Sequence, residues 1–164
     1  ELTLVTAVFV NPGFFKALRT GVSLEDLEDP RARELFMLLE EWYRKTGGGP
    51  SGALGALNAA GSGELLEMVQ DKELQEYILQ QEASGAFSSV EKLLSDGITK
   101  IKSKVLERRR REIIRELRSP ALEAVRQGDL LAEKIHIDGA LTRLKERSRV
   151  QASGASPVKS KEGR

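Results

Sequence analysis

The chain has 164 residues, with 26 Lys and Arg against 25 Asp and Glu for a formal net charge of +1, and it is 40% hydrophobic but only 5% aromatic. So balanced a charge predicts no bulk attraction to nucleic acid or to an anionic membrane, and so few rings predict a core of Leu, Ile, Val and Ala. With no cysteine and a single histidine, His136, the sequence excludes disulfides, thiolate nucleophiles, sulfur-ligated zinc and multi-histidine metal sites.

The first segment sets propensity against context. Thr3, Val5, Thr6, Val8 and Val10 are β-branched and favour a strand. No second strand-like run exists to pair with it, and a lone strand would leave its backbone donors and acceptors unpaired. The expectation is therefore a helix with Leu4, Val5, Val8 and Phe9 inward. The same run, Leu2 to Val10, is about half the ~20 residues needed to cross a bilayer and lacks the flanks of a signal peptide. A soluble, cytoplasmic protein is expected. Because residue 1 is Glu and not Met, the chain reads as excised from a longer protein.

Asn11-Pro12-Gly13 breaks this segment, and Phe14 to Arg19 reads as a short helix ended by Gly21. Ser23 is placed to cap Leu24 to Leu27, with Asp26 where a capping box puts Glu or Gln. Asp29 as N-cap and Pro30 at the first helical position start the next helix, Arg31 to Lys45. Leu35, Leu38, Leu39 and Trp42 form its apolar stripe, and Arg44-Lys45 suit the negative end of its dipole. Thr46 to Gly52 reads as a loop. Its three glycines lack the Gly-Lys-Ser/Thr that a phosphate loop requires. Residues 53 to 60, 64 to 70 and 72 to 83 read as short helices set off by Gly61, Gly63, Asp71 and Gly85.

From Val90 to Leu117 an apolar period of helical spacing runs through Leu94, Ile98, Ile101, Val105 and Ile113, interrupted only by Gly97. So long a helix projects beyond a small core or pairs with another. Pro120 either kinks this helix or, with Ser119 as N-cap, starts a new one; an arm from about Glu112 through Pro120 to Gln127 would match the second arm in length, which favours a kink. Gly128-Asp129 then reads as a stop and restart, and Leu130 to Arg147 as the second arm of an antiparallel hairpin. From Ser148 the Ser/Gly/Lys-rich tail is expected to be disordered.

Three groups invite sharper readings. Lys100 to Arg118 carries nine Lys and Arg against three Glu, including Arg108-Arg109-Arg110-Arg111. Four consecutive helical residues encircle their helix, and no aromatic residue is interleaved, which argues against direct nucleic-acid binding. His136 has no second imidazole or thiolate beside it and reads as a rim residue of the hairpin. Glu25, Asp26, Glu28 and Asp29 form an acidic string, but Asp26 and Asp29 are already assigned to first-turn and capping roles. No metal, cofactor or catalytic site is expected in this chain.

The order Asn11-Pro12, Leu24 to Pro30, Arg33-Glu34-Leu35-Phe36, a small helical core, a long basic helix with Arg109, Ile113, Glu116 and Leu117, and Gly128-Asp129 resembles the C-terminal, helicase-binding domain of bacterial DNA primase. The resemblance covers residues 1 to 148. It implies an all-α fold: a helical bundle (1–88), a long connecting helix (89–118) and a C-terminal helical hairpin (119–148), with a tail at 149–164. It also implies a non-catalytic module that recruits the primase to the N-terminal domains of the hexameric replicative helicase, with the single-stranded-DNA-binding protein as a second candidate partner. The primase's zinc module and acidic polymerase core have no counterpart here. Alternatives are the similarly folded N-terminal domain of a replicative helicase and a basic helical domain that binds nucleic acid. On the hairpin, Leu130, Leu131, Ile135, Ile137, Leu141 and Leu144 span more than one seam can bury. The surplus is expected to dock the helicase, with Leu130, Leu131, Ile137, Leu141 and Leu144 as contacts and Arg143, Lys145 and Arg147 as a basic rim.

Overall fold

A computed structural model of the chain describes residues 1–47, 58–87, 89–119 and 123–153. Among these residues there are seven α-helices and no strand: α1 (Leu2–Val10), α2 (Phe15–Gly21), α3 (Pro30–Lys45), α4 (Asn58–Met68), α5 (Lys72–Ala83), α6 (Val90–Leu117) and α7 (Ala124–Ser153), with 3-10 turns at Pro12–Phe14 and Leu24–Asp26. The fold is all-α, and the chain divides into two compact units, Glu1–Lys102 and Ser103–Arg164, with the division inside α6. No described helix is long and apolar enough to cross a membrane.

In the first unit α1 is helical despite its β-branched residues, because a helix satisfies its own backbone and here it is wrapped by neighbours. Leu4 to Phe9 are all buried, as expected for a helix apolar on every side. Phe15 of α2 meets the Phe36 and Tyr43 rings of α3 edge-on, each at 5.4 Å between centroids. These are the offset geometries aromatic rings prefer. Local chemistry sets the helix starts. The Asp26 carboxylate accepts from the Ser23 amide at 2.8 Å and from its hydroxyl at 2.9 Å. Asp29 Oδ1 accepts from the Arg31 and Ala32 amides at 2.9 and 3.1 Å, and Asp71 caps α5 in the same way through Glu73 and Leu74. The Glu1 carboxylate accepts from the Glu28 and Asp29 amides, tying the start of the chain to the start of α3.

Two glycines let helices approach closely. A Cβ at Gly97 would lie 2.7 Å from Leu4 of α1, and one at Gly21 would lie 2.7 Å from Ile98 of α6. Gly97 is thus no interruption of α6; it is the place where α1 packs against it.

The structure corrects several boundaries. Gly61 and Gly63 lie inside α4 and do not separate pieces. Residues 48 to 57, which hold most of the Gly-rich loop and most of the first short helix expected at 53 to 60, lie outside the described residues, as does Pro120 itself. The single arm expected from Glu112 to Gln127 is divided between two helices, since α6 ends at Leu117 and α7 begins at Ala124. There is no turn at Gly128-Asp129, through which α7 runs without a break. An interior glycine costs only about 1 kcal/mol relative to alanine, less than the packing that follows it. Helix also continues to Ser153, past the expected start of a disordered tail, and residues 154–164 are outside the described set.

Candidate docking surface on the two-helix unit

The second unit pairs the C-terminal half of α6 with α7. Ile113 from α6 and Leu130, Ile137 and Leu141 from α7 form one buried cluster, flanked by half-buried Leu106 and Leu117. Residues 130, 137 and 141 are spaced by seven and four, which places them on one stripe of α7. Ion pairs fix the register on either side of this seam. Arg109 Nε and Nη2 donate to both oxygens of Glu133, at 2.7 and 2.9 Å, while its Nη1 lies 3.4 Å from Glu112 and 3.5 Å from Glu116. Arg110 pairs with Asp138 at 2.7 Å, and Arg126 pairs with Glu116 at 3.2 Å. Glu116 near the end of α6 meets Arg126 near the start of α7, whereas Arg109 and Arg110, further back on α6, meet Glu133 and Asp138, further along α7, which defines an antiparallel pair.

These contacts set the local protonation energetics. The hydrogen bond from Arg109 holds the Glu133 carboxyl below its ordinary value and raises the Arg109 guanidinium above its own. Asp138 is also held low, first by the hydrogen bond from Lys134 at 2.7 Å and then by the charge of Arg110. All these groups are substantially solvent-exposed, so the pairs contribute register more than bulk stability.

The residues expected to contact a partner fall into two sets. Leu130, Ile137 and Leu141 are buried in the seam, which corrects the expectation that Leu141 belongs to an exposed surplus: it joins the two arms. Leu144 is half-buried, and Arg143, Lys145 and Arg147 are exposed. The apolar surplus does exist, but on the outer face of α7. Leu131 is 45% exposed and Ile135 is 72% exposed, one turn apart, and Val125 near the start of the helix is 78% exposed. Val125 was not singled out by the sequence pattern, because one residue outside a heptad carries no periodic signal. The hub role of Arg109 was also missed, although Glu112 and Glu116, three and seven positions further on, are its legible trace. His136 is exposed, as a rim residue would be. Among the described residues no three His, Asp or Glu side chains converge as a metal site.

No protein-family model and no solved structure matches the chain. Over 151 residues, 88% of its length, it is 31% identical to the DNA primase of Treponema pallidum (strain Nichols), and it spans 23% of that protein. The chain is therefore related to a stretch of a DNA primase and covers under a quarter of its relative's length.

Proposed function

We propose that the chain is a non-catalytic, helicase-binding domain of a bacterial, cytoplasmic DNA primase, which brings the primase to the replicative helicase at the fork. The observation that carries this reading, beside the relationship to DNA primase, is the outer stripe of α7. Leu131 and Ile135 stand in solvent one helical turn apart on a unit whose own seam is already filled by Ile113, Leu130, Ile137 and Leu141. Clustered aliphatic side chains left uncovered beside a basic rim suit a docking surface of modest size. Arg143 and Lys145 belong to the rim, where charges set on-rate and salt dependence more than affinity.

The test is co-elution of the chain with the N-terminal domains of the cognate helicase on a sizing column. The double variant Leu131→Ser, Ile135→Ser is expected to weaken binding by a hot-spot amount of about 2 kcal/mol or more while its helical circular dichroism stays intact. Undiminished binding by that folded variant would reject the surface, and no complex with the unaltered chain would reject the function.

A further inference from the structure

The net charge of +1 conceals a partition. Residues 1–102 hold ten Lys and Arg against 16 Asp and Glu, a net charge of −6, while residues 103–164 hold 16 against nine, a net charge of +7. Within the second unit the arginine run is sorted by the pairing of the helices. Arg109 and Arg110 turn to α7 and are held by Glu133 and Asp138. Arg108 and Arg111 do not share that direction; with Glu112 and Arg115 they line one shallow depression on the outside of α6.

At 100° per residue, Lys104, Arg108, Arg111 and Arg115 fall within about 60° of arc on α6, spaced by three or four residues, which is about 4.5–6 Å along the axis, and Arg118 follows just past the helix end. Arg111, Arg115 and Arg118 are exposed and make no ion pair among the described residues. With Arg109 and Arg110 turned to the seam, Arg111 is the member of the run that lines up with Arg115 and Arg118 on the outer side.

We propose that this outer face of α6 binds the phosphate backbone of a single-stranded nucleic acid, independently of sequence. Guanidinium groups fork onto phosphate oxygens, and a row of them at regular intervals matches a linear polyanion. No apolar or aromatic side chain lies within the stripe. An acidic protein partner would lack the buried anchor that normally carries protein–protein affinity, and bases would have nothing to stack on, so the contact is to backbone alone. Along α6 the stripe is straight, about 16 Å from Lys104 to Arg115, with Arg118 just past the helix end. A single strand can lie along it, whereas a duplex strand winds away. This face is on α6, while the proposed helicase surface is on α7, so each can fail without the other.

The experiment titrates the full 164-residue chain against a labelled oligothymidylate at increasing salt. Three guanidinium contacts predict that log affinity falls against log salt with a slope of about −2, and the double variant R111Q/R115Q is expected to reduce it to about −0.7 and to lower low-salt affinity about tenfold. The variant K16Q/R33Q, which removes the same charge from exposed positions of the first unit, is expected to leave both unchanged, and circular dichroism verifies that both variants fold. Salt-independent binding, or unchanged binding by R111Q/R115Q, would overturn the proposal. Displacement of the probe by polyglutamate as effective as by unlabelled oligothymidylate would assign the face to an acidic peptide instead. Tighter binding of a duplex of the same length would overturn the choice of a single strand.

Discussion

The two units solve the problem of holding helices together by different means. In Glu1–Lys102 the helices surround α1 and bury Phe9, Phe15, Phe36 and a set of leucines, with charges confined to caps and the periphery. In Ser103–Arg164 a single seam of four buried aliphatic residues is bordered by Arg109, Arg110 and Arg126 with their carboxylates. A core closed on all sides draws its stability from area removed from water. Two helices have only one face to bury, so ion pairs fix the register and the outer faces stay exposed.

The contrast is broken most strongly by attacking the first core. Phe36→Ala is expected to cost about 3–5 kcal/mol, read as a large fall in the melting temperature. A loss below about 1 kcal/mol would mean that the ring is not integral to the core. Ile113→Ala removes the only α6 member of the buried cluster in the second unit and is expected to cost about 2–4 kcal/mol locally. Helical circular dichroism should fall while the fluorescence of Trp42, the single tryptophan and a reporter of the first unit, stays constant. A parallel change in Trp42 would show that the units do not melt separately.

Gly97→Ala tests packing of another kind, since its Cβ would meet Leu4 at 2.7 Å. The strain of overpacking is expected to outweigh the gain in helix propensity and cost about 1–3 kcal/mol. A more stable variant would show that Leu4 yields. Thr6→Val should act in the opposite direction. The Thr6 hydroxyl is buried without a hydrogen-bond partner among the described residues, so an isosteric methyl is expected to add about 1 kcal/mol.

The smallest effect belongs to the ion pairs, and its sign follows from the direction of the shifts. Glu133 and Asp138 are held below their ordinary values, so their contribution is complete above the unfolded carboxylate range and is lost as pH falls through the folded values. Helix content of the second unit should therefore decline on acidification below about pH 4. Glu133→Gln should flatten that decline; an identical acid profile would dissociate it from Glu133.

Much of the first unit was legible because its signals are local. Asp29-Pro30, Asp71 and Ser23 with Asp26 each satisfy backbone donors within one turn, so the residues that start α3, α5 and the 3-10 turn could be read without knowing the fold. The helical state of α1 followed from a global argument that needs no geometry, namely the absence of any partner for a strand. That a long helix starts near Val90 followed from apolar period alone, but its end at Leu117 did not, because the same reading ran on through Pro120 to Gln127.

What the sequence could not decide depends on which helix faces which. Helix α6 ends at Leu117 and α7 begins at Ala124, not after Gly128, because α7 gains Leu130 in the seam and Arg126 against Glu116 by running straight through the glycine. Glycine permits a helix end but does not compel one. Periodicity placed Leu130, Ile137 and Leu141 on one stripe of α7, but only the position of Ile113 opposite them sends that stripe inward and leaves Leu131 and Ile135 outside. The arginine run shows the same limit: composition counts its charges, while the antiparallel register alone selects Arg109 and Arg110 for Glu133 and Asp138 and turns Arg111 outward. Capping and period act over a turn of one helix and are written in adjacent residues. The choice of face is an interaction between residues on two helices, 10 positions apart for Arg126 with Glu116 and 24 for Arg109 with Glu133, and it exists only once both helices are formed and paired.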